Sequence, residues 1–256
     1  DVDVFEDALF TVFEHHQPAR GDPGTTGTYT NEAIPPDAHG RRSITYRIPE
    51  VSNENTRLFA HHQWDAGVHV TDLIASYAPV DVRGKRVIEL GAGTGLPSLA
   101  CAVLGAQHVR FAALLPPLRQ VPMEDVNGQL TQTTLVRRED YPDPYILASL
   151  EANAEALRER YSTSIQVAGL AWGDEAQETT FSLYQQKHMD NMLMRSRRLG
   201  KEAGPFDMVV AADVLWVSSQ HENLLHSICA LLARTPTARL LLVAGFHTGR
   251  PATARF

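Results

Sequence analysis

Long apolar runs, abundant cysteine and an excess of basic residues are all missing from this sequence. No stretch reaches the roughly 18 apolar residues of a membrane-spanning helix, so we expect no membrane span. The two cysteines, Cys101 and Cys229, both lie in apolar helical patterns. Such thiols and the lack of a signal-peptide pattern are typical of a reducing compartment, and we expect a cytoplasmic protein. The formal net charge of −7 argues against direct binding to nucleic acid.

The spacing of metal ligands is also missing. The chain has 11 histidines, but pairs such as His15-His16 and His61-His62 lack a cysteine or carboxylate at ligand spacing. We therefore predict no metal site.

One stretch, Val87 to Pro97, organises our interpretation of the chain. It opens with the apolar, β-branched residues of a buried parallel strand and leads into an apolar helix from Leu96 to Leu104. Glycines at positions 91, 93 and 95 separate the two elements. Because glycine has no Cβ, such a turn lets backbone N–H groups approach a carboxylate or phosphate at the helix N-terminus.

The kind of ligand follows from what surrounds the glycines. The dinucleotide pattern G-x-G-x-x-G is incomplete, because Leu96 stands where its third glycine belongs. An acid, Glu89, precedes the first glycine by two residues. A carboxylate there would hold an amino group while backbone N–H groups hold a carboxylate, so the pair suits an amino-acid moiety.

Strand and helix patterns alternate along the chain. The predicted strands are Ile44–Ile48, Val87–Leu90, a strand that begins at Val109, Ile165–Leu170, Phe206–Trp216 and Arg239–Val243, of which the last is expected to be fully buried. The predicted helices are 1–16, Val70–Tyr77, Leu96–Leu104, a helix that begins at Pro144 and a helix that follows a capping box at Ser219–Glu222. This alternation predicts an α/β fold with a doubly wound, mostly parallel sheet. Ligands in such folds bind beyond the carboxyl ends of the strands, where Glu89, the glycine turn, Asp140, Trp172, Asp213 and His247 are expected.

We expect two regions in a monomeric chain. Residues 1–57 form an N-terminal extension that is partly loop, since residues 17–43 are rich in Pro, Gly, Thr and Asp. Residues 58–256 form the domain, with an insertion at about 111–137 that has no clear period. Val136 looks like the second strand resuming after it. A retained intron and a substrate-binding loop both stay open as explanations of the insertion.

Several strings together point to a known family. They are His62-Gln63-Trp64, Glu89 to Pro97, Asp140-Tyr141-Pro142-Asp143-Pro144, Trp172-Gly173, Ala212 to Trp216, and Ser219 to Glu222. The set resembles the lysine-methyltransferase-like group of seven-strand, S-adenosyl-L-methionine-dependent methyltransferases. Within that group it is most similar to fungal enzymes that methylate the N-terminal glycine and adjacent lysine of translation elongation factor 1-alpha. The resemblance implies a class I, Rossmann-like fold, that cofactor and that protein substrate.

The resemblance also implies roles for individual residues. Trp64 would contact the cofactor near its methionine end, and Gly91, Ala92 and Gly93 would hold the methionine moiety by backbone. Asp140 would bind the ribose hydroxyls, Trp172 would pack by the adenine, and Ala212 would line the cofactor. Asp213 would face the transferred methyl group and the substrate. The chemistry of methyl transfer to an amine adds two expectations: Asp213 orients the cationic amine and later accepts its proton, and the ring faces of Trp64 and Trp216 stabilise the cation.

The chain departs from the family pattern in three respects. The tryptophan segment usually reads Leu-Trp-Gly, whereas here it is Gln63-Trp64-Asp65. The insertion has no counterpart. The family continues beyond the fifth strand with a helix and an antiparallel strand pair, so we expect a sheet truncated after that strand, with one exposed edge. A small-molecule methyltransferase of the nicotinamide type and a non-catalytic cofactor-binding remnant therefore stay open as alternatives.

Overall fold

A computed structural model describes residues 19–50, 60–115, 119–124, 130–136, 144–158, 160–175, 178, 206–216, 218–246, 250–254 and 256. The helix predicted over 1–16 and the site residues Asp140 and His247 lie outside this part of the chain. None of the described helices is long and apolar enough to cross a membrane.

The described part of the chain forms both strands and helices. The strands are β1 (Ala19–Arg20), β2 (Thr26–Thr30), β3 (Ser43–Arg47), β4 (Gln63–Trp64), β5 (Arg86–Leu90), β6 (His108–Leu115), β7 (Arg119–Glu124), β8 (Leu130–Val136), β9 (Ser164–Ala171), β10 (Met208–Ala212) and β11 (Arg239–Val243). The helices are α1 (Asp65–Ser76), α2 (Leu96–Val103), α3 (Pro144–Arg158), α4 (His221–Leu231) and α5 (Arg250–Ala254). The predicted strands at 44–48 and 165–170 and the helix at 96–104 are confirmed to within a residue or two.

The central sheet is parallel and has the order β11-β10-β5-β6-β9. Successive side chains of β10 join two different cores, because side chains alternate between the faces of a strand. Val210 belongs to the core that includes residues of α1, α2 and α3, whereas Val209 and Ala211 belong to the core that includes residues of α4. Helices therefore cover both faces, and the predicted doubly wound α/β fold is confirmed.

The stretch 17–43 is not simply a loop. Within it β2 pairs antiparallel with β3, from Thr26 opposite Arg47 to Thr30 opposite Ser43. Tyr29 of β2 is buried beside the apolar residues of β3 in the main core. The Thr-rich composition that suggested a loop suits an edge hairpin equally well, because threonine is β-branched.

We expected the insertion at about 111–137, and this start is too early in the sequence. β6 continues to Leu115, and Phe111 to Ala113 are buried and pair with β9. Their apolar side chains fill the sheet, so the interruption starts after residue 115. Val136 does not resume this strand, because it ends β8, which forms an antiparallel hairpin with β7. The hairpin explains why the segment shows no clear helical period.

The fifth strand of the sheet, β11, is not fully buried as expected. Its residues are exposed or half-buried, and Leu240 is 41% exposed. β11 is an edge strand that pairs only with β10 among the described strands. A run of apolar residues cannot by itself distinguish a central strand from an edge strand, which is why the prediction was wrong.

The start of α4 also differs from the prediction. A 3₁₀ turn over Ser218–Gln220 precedes the helix, whose N-cap is Gln220 without a side-chain capping bond. Ser219 lies inside that turn and cannot serve as the N-cap of a capping box. Leu225, expected on the apolar face of this helix, is exposed, whereas Leu224 and Ile228 are buried.

Candidate functional site

The glycine turn connects β5 to α2 through backbone in the left-handed region. Gly91, Gly93 and Gly95 have φ angles of 72°, 49° and 77°. Residues with a Cβ adopt such angles at a cost, so the turn depends on glycine. The N–H groups of Gly91 and Ala92 both donate to the carbonyl oxygen of Ala112 in β6, at 2.9 and 3.1 Å. Two of the N–H groups expected to hold a carboxylate are therefore used within the fold.

Glu89 lies beneath this turn and is almost fully buried. Its Oε2 atom accepts a hydrogen bond of 3.0 Å from the backbone N–H of Ser98, in the first turn of α2. Burial raises the pKa of Glu89 to about 8, and the bonds from Ser98 oppose this rise. The carboxyl group thus faces the start of α2 and is not part of the described lining of the cleft. A role in holding an amino group stays a prediction.

Glu89 is expected to make stability depend on pH. Its pKa in the folded protein lies above its value in an unfolded chain, so the folded state holds a proton that the unfolded state releases. The free energy of unfolding should therefore fall by a few kcal/mol between about pH 5 and pH 8, and this contribution should level off above that pKa. Urea denaturation across this range measures the fall.

The matched control is Glu89→Gln, which cannot ionise but can still accept the bond from Ser98. Its stability should change much less over the same pH range. Equal pH dependence in both proteins would show that Glu89 does not carry the effect.

A cleft lies beyond the carboxyl ends of β5, β9 and β10, as expected for a parallel sheet. It is lined by Ala60, Trp64, Gly91, Gly93, Leu114, Ile146, Trp172, Ala212, Asp213, Val214 and Trp216. Most of the predicted site residues therefore meet in one place, although they are far apart in sequence. Ala92 is buried next to the cleft and is not in its described lining.

All three tryptophans of the chain line this cleft. Trp172 is 4% exposed, and its buried Nε1 has no hydrogen-bond partner among the described residues. A buried N–H without a partner costs free energy, which a ligand acceptor would offset. Trp64 and Trp216 are half-buried, so parts of both side chains reach the surface.

Asp213 holds an unusual backbone conformation at the end of β10. Its φ angle is 55°, in the left-handed region that Asp tolerates better than most residues. Its N–H donates to the carbonyl of Val243 at 2.8 Å, and its Oδ1 accepts from the N–H of Gly245 at 3.0 Å. These bonds join the ends of β10 and β11 and fix the carboxylate in the wall of the cleft.

The cleft fits a flat, partly apolar ligand with an amino-acid end. Leu114, Ile146 and Trp172 supply apolar and aromatic wall, and Asp213 supplies a negative charge. If a Cβ were added at Gly93, the nearest atom outside the two adjacent residues would be the Gly91 carbonyl oxygen, 4.0 Å away. There is therefore open space beside the turn. No group of three or more His, Cys, Asp or Glu suited to a metal ion occurs among the described residues.

Four residues that line the cleft were not predicted from the sequence. Ala60, Ile146 and Val214 are small or apolar and carry no chemical signal of their own. Leu114 was assigned to the insertion. The position of Val214, directly after Asp213 at a strand end, was the one available hint.

The sheet order, the glycine turn and the cleft beyond the strand ends define a class I, Rossmann-like α/β fold. The chain belongs to the lysine methyltransferase family, whose sequence pattern matches residues 48–196.

Curated relatives carry a more specific name. The chain is 26% identical over 190 residues to the protein N-terminal and lysine N-methyltransferase efm7 of Emericella nidulans, covering 73% of this chain and 58% of that protein. It is 26% identical over 180 residues to the protein of the same name from Candida albicans, covering 69% and 54%. For the Yarrowia lipolytica protein the identity is 27% over 222 residues, covering 78% and 64%. The chain therefore spans little more than half the length of these relatives.

Two solved structures show weaker likeness. A putative SAM-dependent methyltransferase from Streptococcus mutans is 13% identical, with a TM-score of 0.31, covering 72% of this chain and 35% of that one. SMU.776, a putative methyltransferase complexed with SAH, is 12% identical with a TM-score of 0.27, covering 65% and 29%.

Proposed function

We propose that this chain is the cofactor-binding domain of an S-adenosyl-L-methionine-dependent protein N-methyltransferase. The observation that carries the proposal is the cleft in which the glycine turn, the three tryptophans and Asp213 meet. The family match and the names of the fungal relatives support the same reaction. When bound, S-adenosyl-L-methionine supplies an electrophilic methyl group on its sulfonium sulfur.

Each part of the cleft has a role in this proposal. Gly93 borders open space in which the methionine end fits. Trp172 packs by the adenine and donates its buried N–H to it. Trp64 contacts the methionine end, and Ala212 lines the cofactor. Asp140, which lies outside the described residues, binds the ribose hydroxyls.

Asp213 and the half-buried Trp216 act on the accepting amine. Methyl transfer to nitrogen is a direct displacement, so most of the rate gain comes from holding the lone pair about 3–3.5 Å behind the methyl. The Asp213 carboxylate orients the cationic amine and takes up its proton, directly or through water. The Trp216 ring face stabilises the cation beside it.

The substrate that we propose is the N-terminal glycine and adjacent lysine of translation elongation factor 1-alpha, in the cytoplasm. The names of the relatives support an N-terminal amine and a lysine as acceptors. An α-amino group has a pKa of about 7.7–8.0 and loses its proton at neutral pH far more readily than lysine, at about 10.4. The enzyme therefore needs to assist deprotonation less for the N-terminal amine than for the lysine.

Calorimetric titration with S-adenosylhomocysteine tests the cofactor part of the proposal. We expect micromolar binding to the folded chain and at least about tenfold weaker binding to Asp140→Ala, because the ribose hydroxyls lose their acceptor. Asp81→Ala, at an exposed position where Asp81 pairs with Arg83, is the control and should bind normally. A folded wild-type chain that does not bind would contradict the proposal.

A labelled-methyl assay tests the substrate part. We expect transfer to a peptide with the N-terminal sequence of elongation factor 1-alpha and none to the same peptide with a blocked N-terminus and no lysine. Transfer to nicotinamide but not to the peptide would instead support a small-molecule enzyme.

A further inference from the structure

We propose that Gln63 is a positioning residue that holds Trp64 in the wall of the cleft by tying it to the glycine turn. The inference rests on the proposed function, since it concerns a residue assigned to cofactor contact. It adds a residue that does not itself line the cleft.

The side-chain amide of Gln63 joins the two parts directly. The Thr94 hydroxyl, in the glycine turn, donates to Oε1 of Gln63. The Nε2 atom of Gln63 donates to the backbone carbonyl of Trp64 at 2.8 Å. Both side chains are buried, at 3% exposure for Gln63 and 4% for Thr94. A buried polar link of this kind is costly to break, because the freed groups lose partners without gaining water.

The turn is the fixed end of this link. The Thr94 carbonyl accepts from Nδ2 of Asn153 in α3 at 3.0 Å. The Oδ1 atom of Asn153 accepts from the backbone N–H of Arg47 in β3 at 2.7 Å. Thr94 is thereby anchored to two elements of the main core, so the glycine turn provides a rigid base for whatever binds to it.

Trp64 lies in a short strand that is held less firmly than the glycine turn. It belongs to β4, a two-residue strand that pairs with the two residues of β1. A pairing this short has little stability of its own. The link through Gln63 therefore supplies a buried attachment where the strand pairing is weakest.

Glutamine suits this position because the link needs one acceptor and one donor on the same side chain. Leucine, which the related pattern carries here, offers neither. Glutamate would accept from Thr94 but would face the Trp64 carbonyl with a negative oxygen. The neighbouring Gly67 leaves the necessary room, since a Cβ there would come within 2.5 Å of Nε2 of Gln63.

The test compares five variants of the full chain. Gln63→Leu removes both bonds, Gln63→Glu removes only the donor, and Thr94→Val removes only the hydroxyl. Thr71→Val is the matched control. The buried Thr71 hydroxyl donates within α1 to the Gly67 carbonyl at 2.7 Å, so its loss leaves the bonds of Gln63 intact. Thr94→Ser keeps the hydroxyl and should restore wild-type behaviour.

The first readout is hydrogen exchange of the segment 61–66 in the ligand-free chain. We expect exchange about tenfold faster in both Gln63 variants and in Thr94→Val, and unchanged exchange in Thr71→Val and Thr94→Ser. Unchanged exchange in Gln63→Leu would overturn the proposal. So would equally faster exchange over the whole chain, because that pattern reflects general destabilisation.

The second readout is the affinity for S-adenosylhomocysteine, which we expect to be about five- to tenfold weaker in Gln63→Leu. Wild-type affinity together with faster exchange would overturn the link between Trp64 position and ligand contact. If the wild-type chain does not bind S-adenosylhomocysteine, the proposed function fails, whereas the exchange measurement still decides whether Gln63 holds Trp64.

Discussion

Replacing Gly95 with alanine is expected to lower the free energy of unfolding by about 3 to 5 kcal/mol. Gly95 has a φ angle of 77°, which costs any residue with a Cβ. An added Cβ would also lie 2.5 Å from Cε1 of Phe111 and 2.8 Å from Cδ2 of Leu150. Both neighbours are fully buried, so neither can move aside without disturbing the packing of the sheet against the helices.

The control separates the backbone cost from the packing cost. Gly84 has a similar φ angle of 68°, but an added Cβ there would meet no atom within 4 Å. Gly84→Ala should therefore cost only about 1–2 kcal/mol. Urea denaturation of the two variants measures the difference. Equal losses would show that the core around Phe111 accommodates a methyl group and that the turn is not tightly packed.

Replacing Asp213 with asparagine is expected to slow methyl transfer by about 100- to 1,000-fold, because the carboxylate that orients the amine and takes up its proton is lost. The affinity for S-adenosylhomocysteine should stay within about threefold of wild type. Asparagine also tolerates the left-handed backbone, and its Oδ1 can still accept from the N–H of Gly245. Single-turnover methylation of the substrate peptide and calorimetric titration measure the two quantities.

The variant Asp213→Ala tests what Asp213 contributes to stability. It loses the bond from Gly245 as well as the charge, so it should lower stability by about 1–3 kcal/mol, whereas Asp213→Asn should not. A wild-type transfer rate in Asp213→Asn would show that Asp213 serves only to join β10 and β11.

The alternation of apolar strands and helices was predictable because each pattern reports the local period of its own segment. Val87 to Leu90 and Leu96 to Val103 formed the expected strand and helix for this reason. The turn between them was predictable because its left-handed angles favour glycine. Trp172 and Asp213 could be assigned to one site from the rule that parallel strands end on the same side.

The burial of a strand, the direction of its side chains and its pairing partner could not be predicted in the same way. Arg239 to Val243 has the composition of a buried strand, yet it lies at the sheet edge, because burial depends on what packs beside a strand. Glu89 faces the start of α2 and is not in the described lining of the cleft, because its direction depends on which face of β5 its side chain occupies. Phe111 to Leu115 continue β6 because β9 offers a partner.

The sequence by itself determined the fold class, the glycine turn and the family, since these depend on local periodicity and on residue types at short spacing. Only the tertiary structure decided which distant residues share the cleft. It also decided that Gln63 and Thr94, 31 residues apart, form one buried bond. The physical reason is that burial and hydrogen-bond partnership are properties of the packed elements, and no segment carries them before the chain folds.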